Sequence, residues 1–540
     1  MGAILVRMNW KQWLKNDRFL EYLVVAVILG IGLAVRIIQY PKIPPGFNQD
    51  EAGSAYEAYA LALTGKDKWG NAWPAYFPAW GSGQNVLLAY LSIPVVKLLG
   101  LSIFSARLIP LSLGILTLPL LYATLRSLPR YGALLSVFVV AVVPWHFMLS
   151  RWALESNLVP FCMLAGCALV AKALLTARRR WILPALLPFA AALYAYGTTV
   201  LVLPVLLGLL GLLFARQIRQ RWGAWLLALG LFLVAVFPFL LFFGENYLLK
   251  RNVPWTDHLF FATPLLPADR LSQVTSASWL DTLHRNVSFA FSGFNDGTAY
   301  NLLPGFNLLF VLIGPAVAIG FLAVGYRLIR FRRNGGYSAS DTVLGIFWAW
   351  LLASTGLAFA FDLNVNRFNH FFLPCIVLAG WALGEIISSL RAPVSRQAIR
   401  GVLAGWFVLE SFFGIQYYFS TYASGDIRSQ FNAGLKDAFA AAATLPVQQV
   451  RITDRMPLAY VYALFFLQYP PADFQHTARM EVTGGTYKVY SFGKYLFYDD
   501  GLNHNQAFGY LSRKNEYQPG PKGRKEVLYS DEFWEVGIIE

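Results

Sequence analysis

Charge is scarce in this chain, and negative charge more so. Charged residues fill 14% of 540 positions, with 29 Asp+Glu against 44 Lys+Arg. Soluble domains carry about 25%. That shortage, beside 57% hydrophobic residues and a mean hydropathy of +0.49, excludes a soluble globular enzyme and a disordered chain. Cysteine is nearly absent. Cys162, Cys167 and Cys375 each sit inside an apolar run with no CxxC pair or Cys/His cluster, which argues against a zinc site or a disulfide scaffold. No GxxxxGK[ST] or GxGxxG loop is present, so nothing supports ATP-driven work within the chain.

Apolar runs dominate instead. A membrane helix needs roughly 20 mostly apolar residues. Eleven segments approach that length: 20–39, 105–125, 131–149, 157–176, 181–196, 198–215, 223–243, 306–330, 342–361, 370–389 and 400–420. The first is too long for a cleavable leader and lacks a small-residue cleavage site. The net charge of +15 lies among these runs, since residues 421–540 hold 12 basic and 13 acidic groups. This is the positive-inside pattern and not a nucleic-acid patch. Arg7/Lys11/Lys15/Arg18, Arg126/Arg130, Arg178–Arg180, Arg216/Arg219/Arg221, Arg327/Arg330/Arg332/Arg333 and Arg391/Arg396/Arg400 mark the cytoplasmic loops. Loops 40–104, 150–156, about 197, 244–305 and 362–369 then face outward, as does the tail from 421, and the N-terminus is cytoplasmic. Were 85–99 to span, every later cluster would change sides, so it is expected to lie in the outer interface, broken near Pro94.

The expected architecture is an all-α polytopic membrane domain, residues 1–420, followed by a small extracytoplasmic α/β domain, residues 421–540. In the latter, 427–444 reads as an amphipathic helix, and 447–453, 487–492 and 534–539 read as strands.

Polar residues gather in three outer clusters. Asp50-Glu51 follow a proline-rich approach and precede a helix, Ala52 to Thr64, closed by Gly65. They read as a helix cap with a first-turn acid or as a carboxylate placed to accept a proton from a hydroxyl. Arg151 and Glu155 in the second cluster would share a helix face. They read as an interfacial ion pair, with His146 an interface histidine, or as functional charges at membrane depth. The third, Asp362-Leu-Asn-Val-Asn366-Arg367-Phe-Asn369-His370, is an outer turn or a set of donors for an anion, arginine's fork suiting phosphate. Lys66 is a further outer cation.

These residues resemble family 39 glycosyltransferases, which include dolichyl-phosphate-mannose–protein mannosyltransferases and lipid A aminoarabinose transferases. The Asp50-Glu51 pair carries the likeness, with Tyr56, Gly65, Gly70, Pro74, Tyr90-Leu-Ser-Ile-Pro, Phe104-Ser-Ala-Arg107-Leu, Ser150-Arg-Trp-Ala-Leu-Glu155-Ser-Asn157 and Asn366-Arg367-Phe-Asn369. The resemblance implies the membrane-embedded GT-C fold. It also implies inverting transfer of one sugar from a polyprenyl-phosphate donor to a protein, lipid or envelope acceptor. Asp50 would be the catalytic base, Glu51 its acidic neighbour, and Glu155 a second acid where other members often carry aspartate. Arg367, Arg151, Lys66, His370, Asn369, Tyr56 and His146 would serve the donor's phosphate and sugar. The lipid A enzymes place a Lys-Pro-Pro run where this chain reads Trp80-Gly-Ser-Gly-Gln84-Asn85. Asp50, Glu51 and Glu155 have the oxygen chemistry for Mg²⁺ or Mn²⁺, but related branches work without metal, so no metal or other cofactor is expected. A transporter or flippase of lipid-linked glycans is the competing class, and an assembly protein a third.

Overall fold

The computed structural model describes residues 17–79, 83–253, 261–262, 278–334, 337–483, 486–499, 501–503, 505–517 and 524–540. The basic residues Arg7, Lys11 and Lys15, the stretch Trp80–Ser82 and the side chains of Arg332 and Arg333 lie outside that description.

All eleven apolar segments carry helix, but among the described residues eight helices are long and apolar enough to cross a membrane by themselves. Segment 131–149 is divided: one helix, Arg130–Val142, ends where Val143 turns extended, and a second, Pro144–Leu149, begins. Pro144 has no N–H to continue the ladder. Segment 181–196 narrows to the nine-residue helix Leu187–Ala195, about 14 Å at 1.5 Å per residue, because Pro184 and Pro188 interrupt its start. Leu87–Leu99 is one continuous helix with Pro94 inside it, so the expected break there is absent. Lateral faces of the long helices expose apolar side chains such as Val234, Leu322 and Val402, the surface a bilayer covers.

Three arginines, fully buried, tie helix ends to loops. A helix leaves its last four carbonyls without intrahelical donors. Arg36 donates to the Val140 and Ala141 carbonyls at the end of Arg130–Val142, at 3.0 and 2.8 Å. Arg151 donates to the carbonyls of Val35, Arg36 and Ile38 at the end of the helix Asp17–Ile37, at 2.9, 2.8 and 2.8 Å. Arg107 donates to the Pro41, Pro44 and Gly46 carbonyls of the following loop. Each guanidinium thus meets the negative end of peptide dipoles where water is excluded.

Beyond the helix Pro393–Tyr417 the chain forms a seven-stranded sheet: β1 Val450–Ile452, β2 Arg479–Thr483, β3 Thr486–Phe492, β4 Tyr495–Leu496, β5 Phe508–Arg513, β6 Lys525–Ser530 and β7 Trp534–Ile539. Their order is β2-β3-β4-β1-β5-β7-β6, with β1 parallel to β4 and β5 and the other pairs antiparallel. The 427–444 stretch is two helical pieces, Ile427–Gln430 and Leu435–Ala443, divided where Asn432 and Gly434 take positive φ.

One hydrophobic core joins the 40–104 loop to this unit. Phe47, Ala52, Tyr56 and Phe77 pack with Phe439, Phe465, Phe474 and Trp534. Phe47 N–H donates to the Phe431 carbonyl. A Cβ at Gly46, which has φ +85°, would collide with that same oxygen, so the approach requires glycine.

Candidate active site

The helix Gln49–Thr64 is capped by Asn48, not by the acids: its Oδ1 accepts from Asp50 N–H at 2.9 Å, and Glu51 Oε2 accepts from Asn48 N–H at 3.0 Å. This capping box separates the two carboxylates. Glu51 turns inward and is fully buried. Its oxygens accept from Arg107 Nε at 2.7 Å, Arg107 Nη2 at 2.8 Å and Ala153 N–H at 2.8 Å. A carboxylate so engaged has no capacity left for substrate or metal, so the expected catalytic neighbour is a clamp. It ties the start of the Asp50 helix to the strand of chain two residues before Glu155.

Asp50 stays half-buried in the first turn of its helix. Burial pushes the Tyr300 phenol up, and the Asp296 and Asp50 charges add to the effect. Tyr462 is raised first by burial and further by Asp50 and Glu51. Asp50 therefore bears electrostatically on both the 292–312 loop and the C-terminal helix Ala459–Phe466.

One turn along from Asp50, Ser54 occupies the same helix face. Its Oγ accepts from Gln84 Nε2 at 2.9 Å, and the same Nε2 donates to Glu155 Oε2 at 3.2 Å. Glu155 and Arg367 both line a cavity of about 180 Å³. Its walls also include Asn85, Thr198 and a ring of aromatics: Tyr76, Tyr196, Phe239, Phe242, Phe243 and Tyr247. Arg367 donates through Nη1 to the Asp362 carbonyl at 2.8 Å and lies 5.6 Å from the Phe361 ring. Its Nε and Nη2 make no hydrogen bond among the described residues. An anion and a cation thus face one apolar chamber, a pattern suited to an amphiphile with a charged head.

The remaining expected site residues are elsewhere. Arg151 does not share a face with Glu155, because the chain bends at 151–152 and is not helical. All its donors go to carbonyls and to Tyr418 Oη. His146 is buried, its Nδ1 accepting from Arg36 Nη2 at 2.6 Å. His370 is buried against Thr199, with 3.2 Å from Nε2 to Oγ1. Asn369 accepts from Trp145 Nε1 at 2.9 Å and donates to Ser156, so it braces the Glu155 turn without lining the cavity. Tyr56 donates to the Tyr469 carbonyl at 2.7 Å and joins the loop to the C-terminal unit. Lys66 is exposed and lines no part of the chamber. Among the described residues no group of three His, Cys, Asp or Glu gathers as metal ligands.

The sequence reading missed the aromatic wall and Gln84. The wall had a signal in Phe239, Phe242, Phe243 and Tyr247, whose spacing repeats along one helical face. Gln84 had none, as its partners are 30 and 71 residues away.

With this geometry in view, the known relatives are informative. Residues 84–242 match the family described as dolichyl-phosphate-mannose-protein mannosyltransferase. No curated protein sequence matches the chain. Among solved structures, ArnT from Cupriavidus metallidurans in the apo state is similar over 96% of this chain and 97% of its own, at 15% identity and a TM-score of 0.54. ArnT bound to undecaprenyl phosphate gives the same coverage at 13% identity and 0.54. The oligosaccharyltransferase AglB from Archaeoglobus fulgidus, in complex with an inhibitory peptide and a dolichol-phosphate, is similar over 83% of this chain at 13% identity and 0.50. This chain spans 64% of AglB's length. The protein is a multi-pass membrane protein with the GT-C glycosyltransferase fold. The match to the mannosyltransferase family is confined to residues 84–242, and the likeness to ArnT extends the shared fold along the rest of the chain.

Proposed function

We propose that this protein is an inverting glycosyltransferase. It moves a single sugar from a polyprenyl-phosphate donor to an acceptor hydroxyl on the outer face of the plasma membrane, with the C-terminal unit also outside and the N-terminus cytoplasmic. The observation that carries the reading is the chamber itself. It joins Arg367, Glu155 and an aromatic wall, and Gln84 and Ser54 link it to the helix bearing Asp50. Two structural neighbours are described with undecaprenyl phosphate and with a dolichol-phosphate, which supports a polyprenyl phosphate here.

The isoprenoid runs along Phe239, Phe242 and Phe243, and Arg367 holds the phosphate. Asp50 takes the acceptor's proton as its oxygen attacks the anomeric carbon from the face opposite the phosphate. The bond from that carbon to the phosphate oxygen breaks, and polyprenyl phosphate leaves with its growing charge offset by the guanidinium. Glu155, held by Gln84, faces the sugar. The acceptor's hydroxyl approaches between Asp50 and the C-terminal unit.

Reconstitution tests this. Purified protein in liposomes, given a polyprenyl-phosphate-linked sugar and an envelope extract as acceptor, should transfer the sugar with inverted anomeric configuration. Asp50→Asn should lose about 10²–10⁴-fold in turnover while inserting normally. Transfer at the wild-type rate by Asp50→Asn, or donor-independent lipid flux without transfer, would overturn the reading.

A further inference from the structure

A second recess lies at the opposite ends of the helices that build the chamber. It is bounded by the turn after the helix Val159–Thr176 and by the junction between Ala215–Gln220 and Trp222–Phe243. Gly223 borders this recess and Phe243 borders the chamber. About 20 residues of helix at 1.5 Å each separate them by about 30 Å, the thickness of a bilayer's hydrocarbon core. The recess therefore sits at the other membrane surface.

Its volume is about 770 Å³, and Arg178, Arg179, Arg180 and Arg221 all line it with no carboxylate among its walls. None of the four guanidiniums makes an ion pair or side-chain hydrogen bond among the described residues. Arg180 instead lies 5.5 Å from the Trp181 ring. The bias of basic residues toward one side of a membrane accounts for charge in these loops. It does not account for four cations from two separate loops converging on one hollow while Arg216 and Arg219, in the second of those loops, stay outside it. Like charges so placed repel, and an anion bound among them relieves the repulsion.

The position identifies the source. Trp222 is 64% exposed beside the recess, and Trp181 adjoins Arg180. Such aromatics settle at the headgroup level. Each guanidinium fork matches a phosphate bidentately, and four of them exceed what one phosphate monoester can use. We propose that this recess binds the headgroup of an anionic phospholipid carrying two phosphates, presented laterally from the bilayer.

The test uses the full chain in nanodiscs containing phosphatidylcholine, phosphatidylglycerol and cardiolipin, followed by native mass spectrometry of retained lipid. Wild-type protein should retain cardiolipin in preference to both others. The variant Arg178→Gln/Arg179→Gln/Arg180→Gln/Arg221→Gln should retain about tenfold less or lower still. The pair Arg216→Gln/Arg219→Gln, which removes charge outside the recess, should retain the wild-type amount. Should the fourfold variant fail to fold, Arg179→Gln/Arg221→Gln takes one cation from each loop and should still show a clear loss. Equal losses in the recess and control variants would reduce the effect to diffuse loop charge and overturn the proposal. Displacement of the lipid by millimolar pyrophosphate would assign the recess to a soluble anion and overturn it too.

Discussion

Replacing Glu51 by glutamine separates a clamp from a catalyst. The wild-type carboxylate accepts four hydrogen bonds, two from Arg107 and one each from the Ala153 and Asn48 amides, at 2.7–3.0 Å. Both charged partners are fully buried. Glutamine offers one acceptor oxygen and points an NH₂ at donors, leaving the guanidinium buried without its counter-ion. Breaking one side of a buried pair costs about 3–5 kcal/mol, and the loss falls on the junction between the start of the Gln49–Thr64 helix and Ala153. Glu51→Gln should therefore lower the thermal midpoint and speed amide exchange across residues 46–51 and 151–155. It should also lower turnover by about 10²-fold, as expected when a reacting group shifts by about an ångström. The pH profile of the residual activity should keep its shape, because the substitution leaves in place the base of the proposed mechanism, Asp50. Glu51→Gln with an unchanged midpoint but an altered pH profile would refute the clamp and return Glu51 to the chemistry.

Arg367→Ala should weaken polyprenyl-phosphate binding by about 10–100-fold, the value of one or two charge-assisted hydrogen bonds, and leave the thermal midpoint unmoved; equilibrium binding and a melting scan together decide it. Arg151→Lys should do the reverse. Three ammonium donors cannot replace a fork that reaches the Ile43, Val35, Arg36 and Ile38 carbonyls and Tyr418 Oη, so folded yield falls while donor affinity in the folded fraction holds. Burial, and then the Glu57 charge, push the Asp67 carboxyl up from 3.8 to about 7. The folded form keeps a proton that the unfolded chain releases, so stability should fall as pH rises from about 4 through about 7. In Asp67→Asn, that part of the decline in melting temperature should vanish; an unchanged slope would contradict the assignment.

The membrane helices were legible because each apolar run carries its own evidence in consecutive residues. Where the reading erred, proline or a distant partner decided. Pro144 divides one segment and Pro184 and Pro188 shorten another, yet Pro94 sits inside an unbroken helix; chemistry alone did not separate these cases. In the C-terminal unit, strands at 447–453, 487–492 and 534–539 were recognisable, while β2, β4, β5 and β6 were not. β5, Phe508–Arg513, is buried along most of its length and so lacks an alternating pattern. At the site, Glu155 and Arg367 were found as charges in loops expected to face outward. Arg151 has the same local appearance, but its partners include carbonyls 115 and 116 residues upstream, and no local pattern separates an arginine that caps helix ends from one that holds phosphate. The adjacent acids illustrate the same limit: Asp50 and Glu51 differ by one residue in sequence and by about 100° around the helix, which turns Glu51 inward to Arg107 and leaves Asp50 half-buried in the first turn.

The proposed activity requires the chamber to hold the lipid-linked donor. A polyprenyl phosphate bearing a photoreactive group on its first isoprene unit, crosslinked to protein in liposomes and mapped by peptide mass spectrometry, tests this directly. Labelling should fall on the segments Tyr196–Leu201 and Phe239–Tyr247 and drop in Arg367→Ala. Labelling spread over the lipid-facing helices, or unaffected by loss of Arg367, would contradict it.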